Sequence, residues 1–111
     1  MSTVRQAVGE DHARIDAVID EWWGGRAMRR MLPRLFFQHF RDTSFVVEDD
    51  EAIVAFLVGF VSSAPGEAYI HFVGVRPDRR GAGLGRDLYE RFFAASLARD
   101  RDRVVFRRAL P

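Results

Sequence analysis

Three glycines alternate between Arg80 and Arg86: Gly81, Gly83 and Gly85. The segment before them, Ala68 to Val75, has the composition of a strand, and Leu84, Leu88 and Phe92 open a helical stripe after them. Glycine permits positive φ and lets backbone N–H groups approach a ligand with no Cβ in the way. The first N–H groups of a helix lack an internal partner, and the helix dipole is positive there. Loop and helix start together make an anion site suited to a diphosphate, with Arg80 and Arg86 adding charge. The spacing excludes two commoner phosphate loops. Gly81-Ala82-Gly83-Leu84-Gly85 is G-x-G-x-G, not the dinucleotide pattern G-x-G-x-x-G, and a P-loop needs a lysine, of which the chain has none.

Two titratable side chains, Tyr69 and His71, stand on the strand that leads into this loop. The ordinary pKa of histidine suits proton relay at neutral pH. Strict alternation puts Tyr69, His71, Val73 and Val75 on one face and Ile70, Phe72 and Gly74 on the other. A half-buried structural histidine is the competing reading of His71. Glu67 is a weaker candidate, with a solvated turn residue as its competing reading, and His12 and His39 read as structural. Cysteine is absent, which excludes a thiol nucleophile, a disulfide scaffold and a Cys-ligated metal, and no metal set is read.

These residues need a scaffold, and 111 residues suffice for one domain, 1–111. Hydrophobic residues make up 48% and aromatics 13%, ten of them Phe, enough bulk for a core. A net charge of +1 offers no overall basic field for nucleic acid or anionic lipid. All 17 basic residues are Arg, so Schiff-base chemistry on Lys is impossible. The apolar run Ile53 to Val61 is nine residues, short of a membrane span. No secretory signal is legible at Met1 to Glu10. The expectation is a cytoplasmic protein without nucleic-acid or membrane partners.

Along the chain, Thr3 to Val8 predicts a strand, and Asp11 a helix cap. Ile15, Val18, Ile19 and Trp22 predict one amphipathic helix ended by Gly24-Gly25. A second helix is expected over Met28 to Phe40, interrupted or restarted at Pro33. Phe45 to Val47 and Ile53 to Val61 read as strands around the acidic tip Glu48 to Glu51, which could attract a cationic amine. Pro65-Gly66 marks a turn. After the loop, Leu84, Leu88, Phe92 and Leu97, with Tyr89 and Phe93, predict a long helix. Arg99 to Arg103 reads as a solvated helix end, and Arg103 to Ala109 as a last strand. The order is β-α-α-β-β-β-α-β, an α/β (α+β) mixed sheet with helices packed on it.

Arg80-Gly81-Ala82-Gly83-Leu84-Gly85 resembles the R/Q-x-x-G-x-G/A signature of the GCN5-related N-acetyltransferase (GNAT) superfamily. Tyr69-Ile70-His71-Phe72-Val73-Gly74-Val75-Arg76-Pro77 looks like that family's fourth strand and the bend after it. Leu88-Tyr89 and Phe92-Phe93 look like its third helix. The resemblance implies a GNAT-like acyl-CoA N-acyltransferase fold and acetyl-CoA as acyl donor. It assigns the pantetheine contacts to the backbone of Val73, Gly74 and Val75. It assigns the diphosphate to Arg80, Gly81, Ala82, Gly83, Leu84, Gly85 and Arg86. The implied reaction is direct transfer of acetyl to a small-molecule or protein amine in a ternary complex. His71 is the first candidate base and Tyr69 a weaker one, and a backbone N–H near Val73 is the candidate oxyanion donor.

The family pattern usually continues with another helix, which often carries a general-acid Tyr, and a final β-hairpin. The sequence stops at Pro111, so the expected fold is C-terminally shortened. Two expectations follow. An uncovered last strand near Val104 to Phe106 favours a homodimer. A non-catalytic acyl-CoA-binding or dimerisation module left by C-terminal truncation is the alternative function. Trp22-Trp23-Gly24-Gly25-Arg26 either lines an acceptor pocket or packs the core, and Phe36, Phe37 and Phe40 read as core.

Overall fold

β-branched and aromatic residues concentrate between positions 45 and 75, and there the chain forms the centre of a sheet. The computed structural model describes residues 2–62, 67–99 and 105–108. The elements are β1 (Ser2–Gln6), α1 (Gly9–Asp16), α2 (Ile19–Trp22), α3 (Leu35–Gln38), β2 (Phe45–Asp49), β3 (Ala52–Val61), β4 (Glu67–Val75), α4 (Leu84–Arg99) and β5 (Val105–Arg108). The sheet runs in sequence order, β1 to β4 antiparallel and β5 parallel to β4. The succession of strands and the mixed sheet are those the sequence predicts, with three short α-helices between β1 and β2 where two are expected. The Pro65-Gly66 turn and the Arg99 to Arg103 tail fall outside what can be described, apart from the backbone of Arg99. The expected last strand is described at Val105–Arg108 only.

The sheet is covered on both faces. Ile15, Ile19, Trp22, Leu32, Phe36 and Phe37 pack from the N-terminal helices onto Val46, Ile53, Phe56, Val58 and Phe72. On the other face Leu84, Leu88 and Phe92 of α4 pack onto Phe45, Val47, Leu57, Ala68 and Ile70. Burial on both faces is why Ile53 to Val61 is apolar throughout.

Several boundaries differ from the sequence reading. The first helix divides at Ala17-Val18 into α1 and α2. The stretch 28–40 holds only a 3-10 turn at Arg29–Met31 and, beyond Pro33, the short α3. Asp11 is not the cap residue. It sits in the first turn of α1, where its Oδ2 accepts the Val8 N–H at 2.8 Å. On α4 the fourth inward position is Ser96, fully buried, while Leu97 is 49% exposed. The repeat 84-88-92-96 advances by four, and Leu97 falls one step past the buried line.

Two of the four carboxylates of the acidic tip, Glu48 and Asp49, are paired with arginines. Asp50 and Glu51 both have positive φ, 49° and 66°, as a two-residue turn matched to strand twist requires. Arg5 donates from Nε to Glu48 at 2.9 Å, and Arg14 donates to Glu48 at 3.3 Å. Asp49 pairs with Arg79. Arg5 also grips Asp11 with two donors at 2.8 and 2.9 Å. Burial pulls the Asp11 carboxyl up, but the Arg5 and Val8 hydrogen bonds and the Arg5 and Arg14 charges outweigh it and hold the group below the usual carboxylate range. The hydrogen bond from Arg5 does the same for Glu48.

Candidate functional site

The site begins at an irregularity in β4. β3 and β4 pair as Val58 with Phe72 but as Gly59 with Ile70, so His71 is an extra residue, a β-bulge. A bulge puts two consecutive side chains on one face. The alternation read from sequence therefore fails here, and the assignment of Val73 and Val75 to the face of His71 is corrected. His71 and Phe72 both face the N-terminal helices, with His71 stacked on Phe36 at 5.0 Å and Phe72 against Trp23 at 5.1 Å. Tyr69 joins them, 5.9 Å from His71. Val73 and Val75 pack on the α4 side.

Gly59, opposite the bulge, was not singled out by sequence. A Cβ there would lie 2.6 Å from both Tyr69 O and a Phe92 ring carbon. Its peptide groups reach past the start of β2. Thr43 Oγ1 donates to Gly59 O at 2.7 Å, and Gly59 N–H donates to Ser44 Oγ at 3.3 Å. Thr43 and Ser44 are fully buried polar residues, and these bonds anchor the strand opposite the bulge.

Beyond the bulge, one edge of β4 opens. Among the described residues, β5 pairs with Glu67 to Ile70. The ladder phase says which groups face that edge. Arg76 N–H donates to Val54 O at 2.8 Å, so the pairs two and four residues back, Gly74–Phe56 and Phe72–Val58, are the hydrogen-bonded ones. The N–H and C=O of Val73 and Val75 thus point away from β3, along an edge that no described residue of β5 pairs and where Arg80 alone reaches the Val75 C=O among the described side chains. Gly74 differs. Its backbone faces β3, so the pantetheine contact assigned to its backbone is corrected. Its lack of a side chain gives the rings of Phe56 and Trp23 their seat, since a Cβ would meet them at 2.6 and 2.8 Å.

The edge runs into the glycine loop. Arg76 pairs with Asp78, at 2.6 and 3.0 Å, and Pro77–Arg79 makes a 3-10 turn. The Arg76 hydrogen bond holds the exposed Asp78 carboxyl below its ordinary value. Gly81 and Gly83 both have φ of 84°, and a Cβ at either would meet nothing within 4 Å. They are required by backbone conformation, and the space in front of them is open. α4 starts at Leu84, so the N–H groups of its first turn face that space without a helical partner. Arg86 is exposed beside them. Arg80 turns back toward the body of the protein: Nε donates to Val75 O at 3.1 Å and Nη2 to Trp22 O at 2.9 Å.

The chain thus leads from the outward peptide groups of Val73 and Val75 into the loop amides and Arg86, with His71 and Tyr69 on the sheet face that meets the N-terminal helices. His71 Nε2 is sealed from solvent and has no hydrogen-bond partner among the described residues. His12 is structural, its Nε2 2.9 Å from Leu32 O. His39 lines a cavity of about 490 Å³ beside Gln6 and Arg41, at the β1 end of the sheet and away from β4. A cavity of about 320 Å³ adjoins the end of β4, between Trp22, Ile53 and Arg76. No group of three or more metal-ligating side chains occurs among the described residues. No described helix is long and apolar enough to cross a membrane.

Known proteins share this architecture. Ard1 from Thermoplasma volcanium superposes with a TM-score of 0.73 at 18% identity, over 89% of this chain and 66% of that one. The diaminobutyrate acetyltransferase EctA from Paenibacillus lautus, solved with L-2,4-diaminobutyric acid and coenzyme A, gives 0.72 at 20% identity over 86% and 60%. Naa20 from Chaetomium thermophilum, solved with a bisubstrate analogue, gives 0.67 at 25% identity over 87% and 57%. The chain therefore spans less than two thirds of the length of these proteins. No curated protein sequence matches it. A model of the Acetyltransferase (GNAT) family matches residues 10–107, nearly the whole chain, and this chain belongs to that family.

Proposed function

We propose that this protein is an N-acetyltransferase that moves an acetyl group from acetyl-CoA directly to an amine in a ternary complex. The observation that carries the reading is the edge of β4 beyond Ile70, unpaired by any described strand, whose outward Val73 and Val75 peptide groups lead into the amides of residues 81–86. Pantetheine is a chain of amides that pairs with a strand edge much as another strand does. Its diphosphate takes the loop amides and Arg86, while the Arg80 side chain is engaged by the carbonyls of Val75 and Trp22.

Transfer sets three tasks. The amine, protonated at neutral pH with an ordinary pKa of about 10.4, must first lose a proton. Its nitrogen then bonds to the thioester carbon, and the tetrahedral oxyanion is met by the Val73 N–H. Finally the C–S bond breaks and the thiolate leaves with a proton. His71 is the base we assign, with Tyr69 behind it. A proton reaches the sealed Nε2 only from a group that enters the aromatic cluster, so the acceptor amine or a water carried with it must do so.

That sealed nitrogen also favours a second reading, a module that binds acyl-CoA without turnover. Calorimetric acetyl-CoA binding, run beside free-CoA release with a panel of amines, separates them. Binding with release supports the transferase, and binding without release supports the module. Coenzyme A that leaves the amide resonances of residues 81–86 unmoved overturns both.

A further inference from the structure

Arg80 joins the glycine loop and the end of β4, five positions before it, to a segment far away in sequence. Its Nε holds the carbonyl of Val75 at the end of β4, and its Nη2 holds the carbonyl of Trp22 at the end of α2, 58 positions earlier in the chain. The guanidinium carbon lies 6.0 Å from the centre of the Trp23 ring, at the reach of a cation–π contact. Trp23 itself rests on Phe72 and on the seat that Gly74 leaves open. The turn after Trp22 is tight, with Gly24 and Gly25 at φ of 65° and 91° and Gly25 N–H donating to Asp20 O at 2.8 Å. Only a flat cation with donors on separate nitrogens serves two carbonyls and an indole at once, and a lysine ammonium does not reproduce it.

We infer that Arg80 is a positioning residue: it fastens the Trp22–Arg26 turn to the end of β4 and to the glycine loop, so that occupation of the loop is felt at Trp23. The inference rests on the acyl-CoA reading above and goes beyond it. Arg80 immediately precedes Gly81, the first loop residue with positive φ, so a ligand that draws the loop amides together moves the guanidinium anchor. Val75 O, which Arg80 holds, lies on the edge offered to pantetheine. The bond to Trp22 O and the contact with Trp23 carry that movement across to the N-terminal helices, on whose face His71 and Tyr69 lie.

Coenzyme A titration followed by NMR tests this, with the Trp23 indole N–H assigned by Trp23→Phe and affinity taken from calorimetry. In the wild type the Trp23 resonance should shift with the same dissociation constant as the amides of residues 81–86. Arg80→Lys keeps the charge and loses the bridge. It should bind coenzyme A within about threefold of wild type, while the Trp23 shift falls several-fold. The inference is overturned if Arg80→Lys keeps the full Trp23 shift, or if the wild type binds with Trp23 unmoved. A loss of affinity beyond about tenfold in Arg80→Lys also overturns it, because the guanidinium would then be a diphosphate ligand itself. Should Arg80→Lys fail to fold, the wild-type Arg80 Nε–H resonance decides: it must shift together with Trp23. If calorimetry finds no coenzyme A binding to wild type, the acyl-CoA reading fails first and this inference with it.

Discussion

At the scale of single residues, the two kinds of glycine near the site fail in different ways. Gly74 is needed for space. Gly74→Ala drives a methyl to within 2.6 Å of Phe56 and 2.8 Å of Trp23, and overpacking of this kind costs about 1–3 kcal/mol. A lowered melting temperature checks it, and an unchanged one would mean that the two rings move aside freely. Gly81 and Gly83 are needed for conformation, and their replacement is expected to weaken coenzyme A binding more than folding. His71 belongs to the chemistry proposed, not to the grip on coenzyme A. His71→Gln is expected to lower acetyl transfer by about 10²-fold or more while leaving acetyl-CoA affinity within about threefold. Equal losses in transfer and affinity would instead mark His71 as a packing residue.

At the scale of elements, one charge network ties β1, α1 and β2 together. Asp11 is 1% exposed and is held by Arg5, which also holds Glu48. Both carboxyls have folded-state pKa values below their ordinary ones. Groups of that kind contribute stability that is complete above the unfolded value of about 4 and is lost as pH falls through the lower folded values. The melting temperature is therefore expected to fall on acidification below about pH 4. Asp11→Asn should cost on the order of 2 kcal/mol at neutral pH, between the values for exposed and buried pairs because Arg5 is partly exposed, and should flatten the acid dependence. Melting curves of both proteins from neutral pH down to about pH 3 are the measurement. The same scale explains the misread faces of β4. Period-two alternation is a rule of an unbroken ladder, and the extra residue His71 resets it for everything that follows.

At the scale of the whole molecule, the described sheet ends on one side at β5, whose outer edge has no neighbouring strand among the described residues. A free strand edge templates another strand. We propose that a second copy pairs there, as an edge near Val104 to Phe106 suggests from sequence. Light scattering after size exclusion should show mass rising with concentration, and a constant monomer mass up to the millimolar range excludes it.

The family, the succession of strands and the glycine loop were legible in the sequence because each is written in local terms. Glycine spacing, apolar period and turn residues act within a few positions, and local backbone preference is a short-range property. What the tertiary structure alone decided depends on segments far apart. The bulge at His71 exists only as a register between β3 and β4. The orientation of Val73 and Val75 follows from the phase of that ladder. The seat at Gly74 is defined by rings from β3 and from the residue after α2, and Arg80 is held by carbonyls at positions 22 and 75. No local pattern encodes such pairings, since each is settled by packing and hydrogen bonding across the fold rather than along the chain.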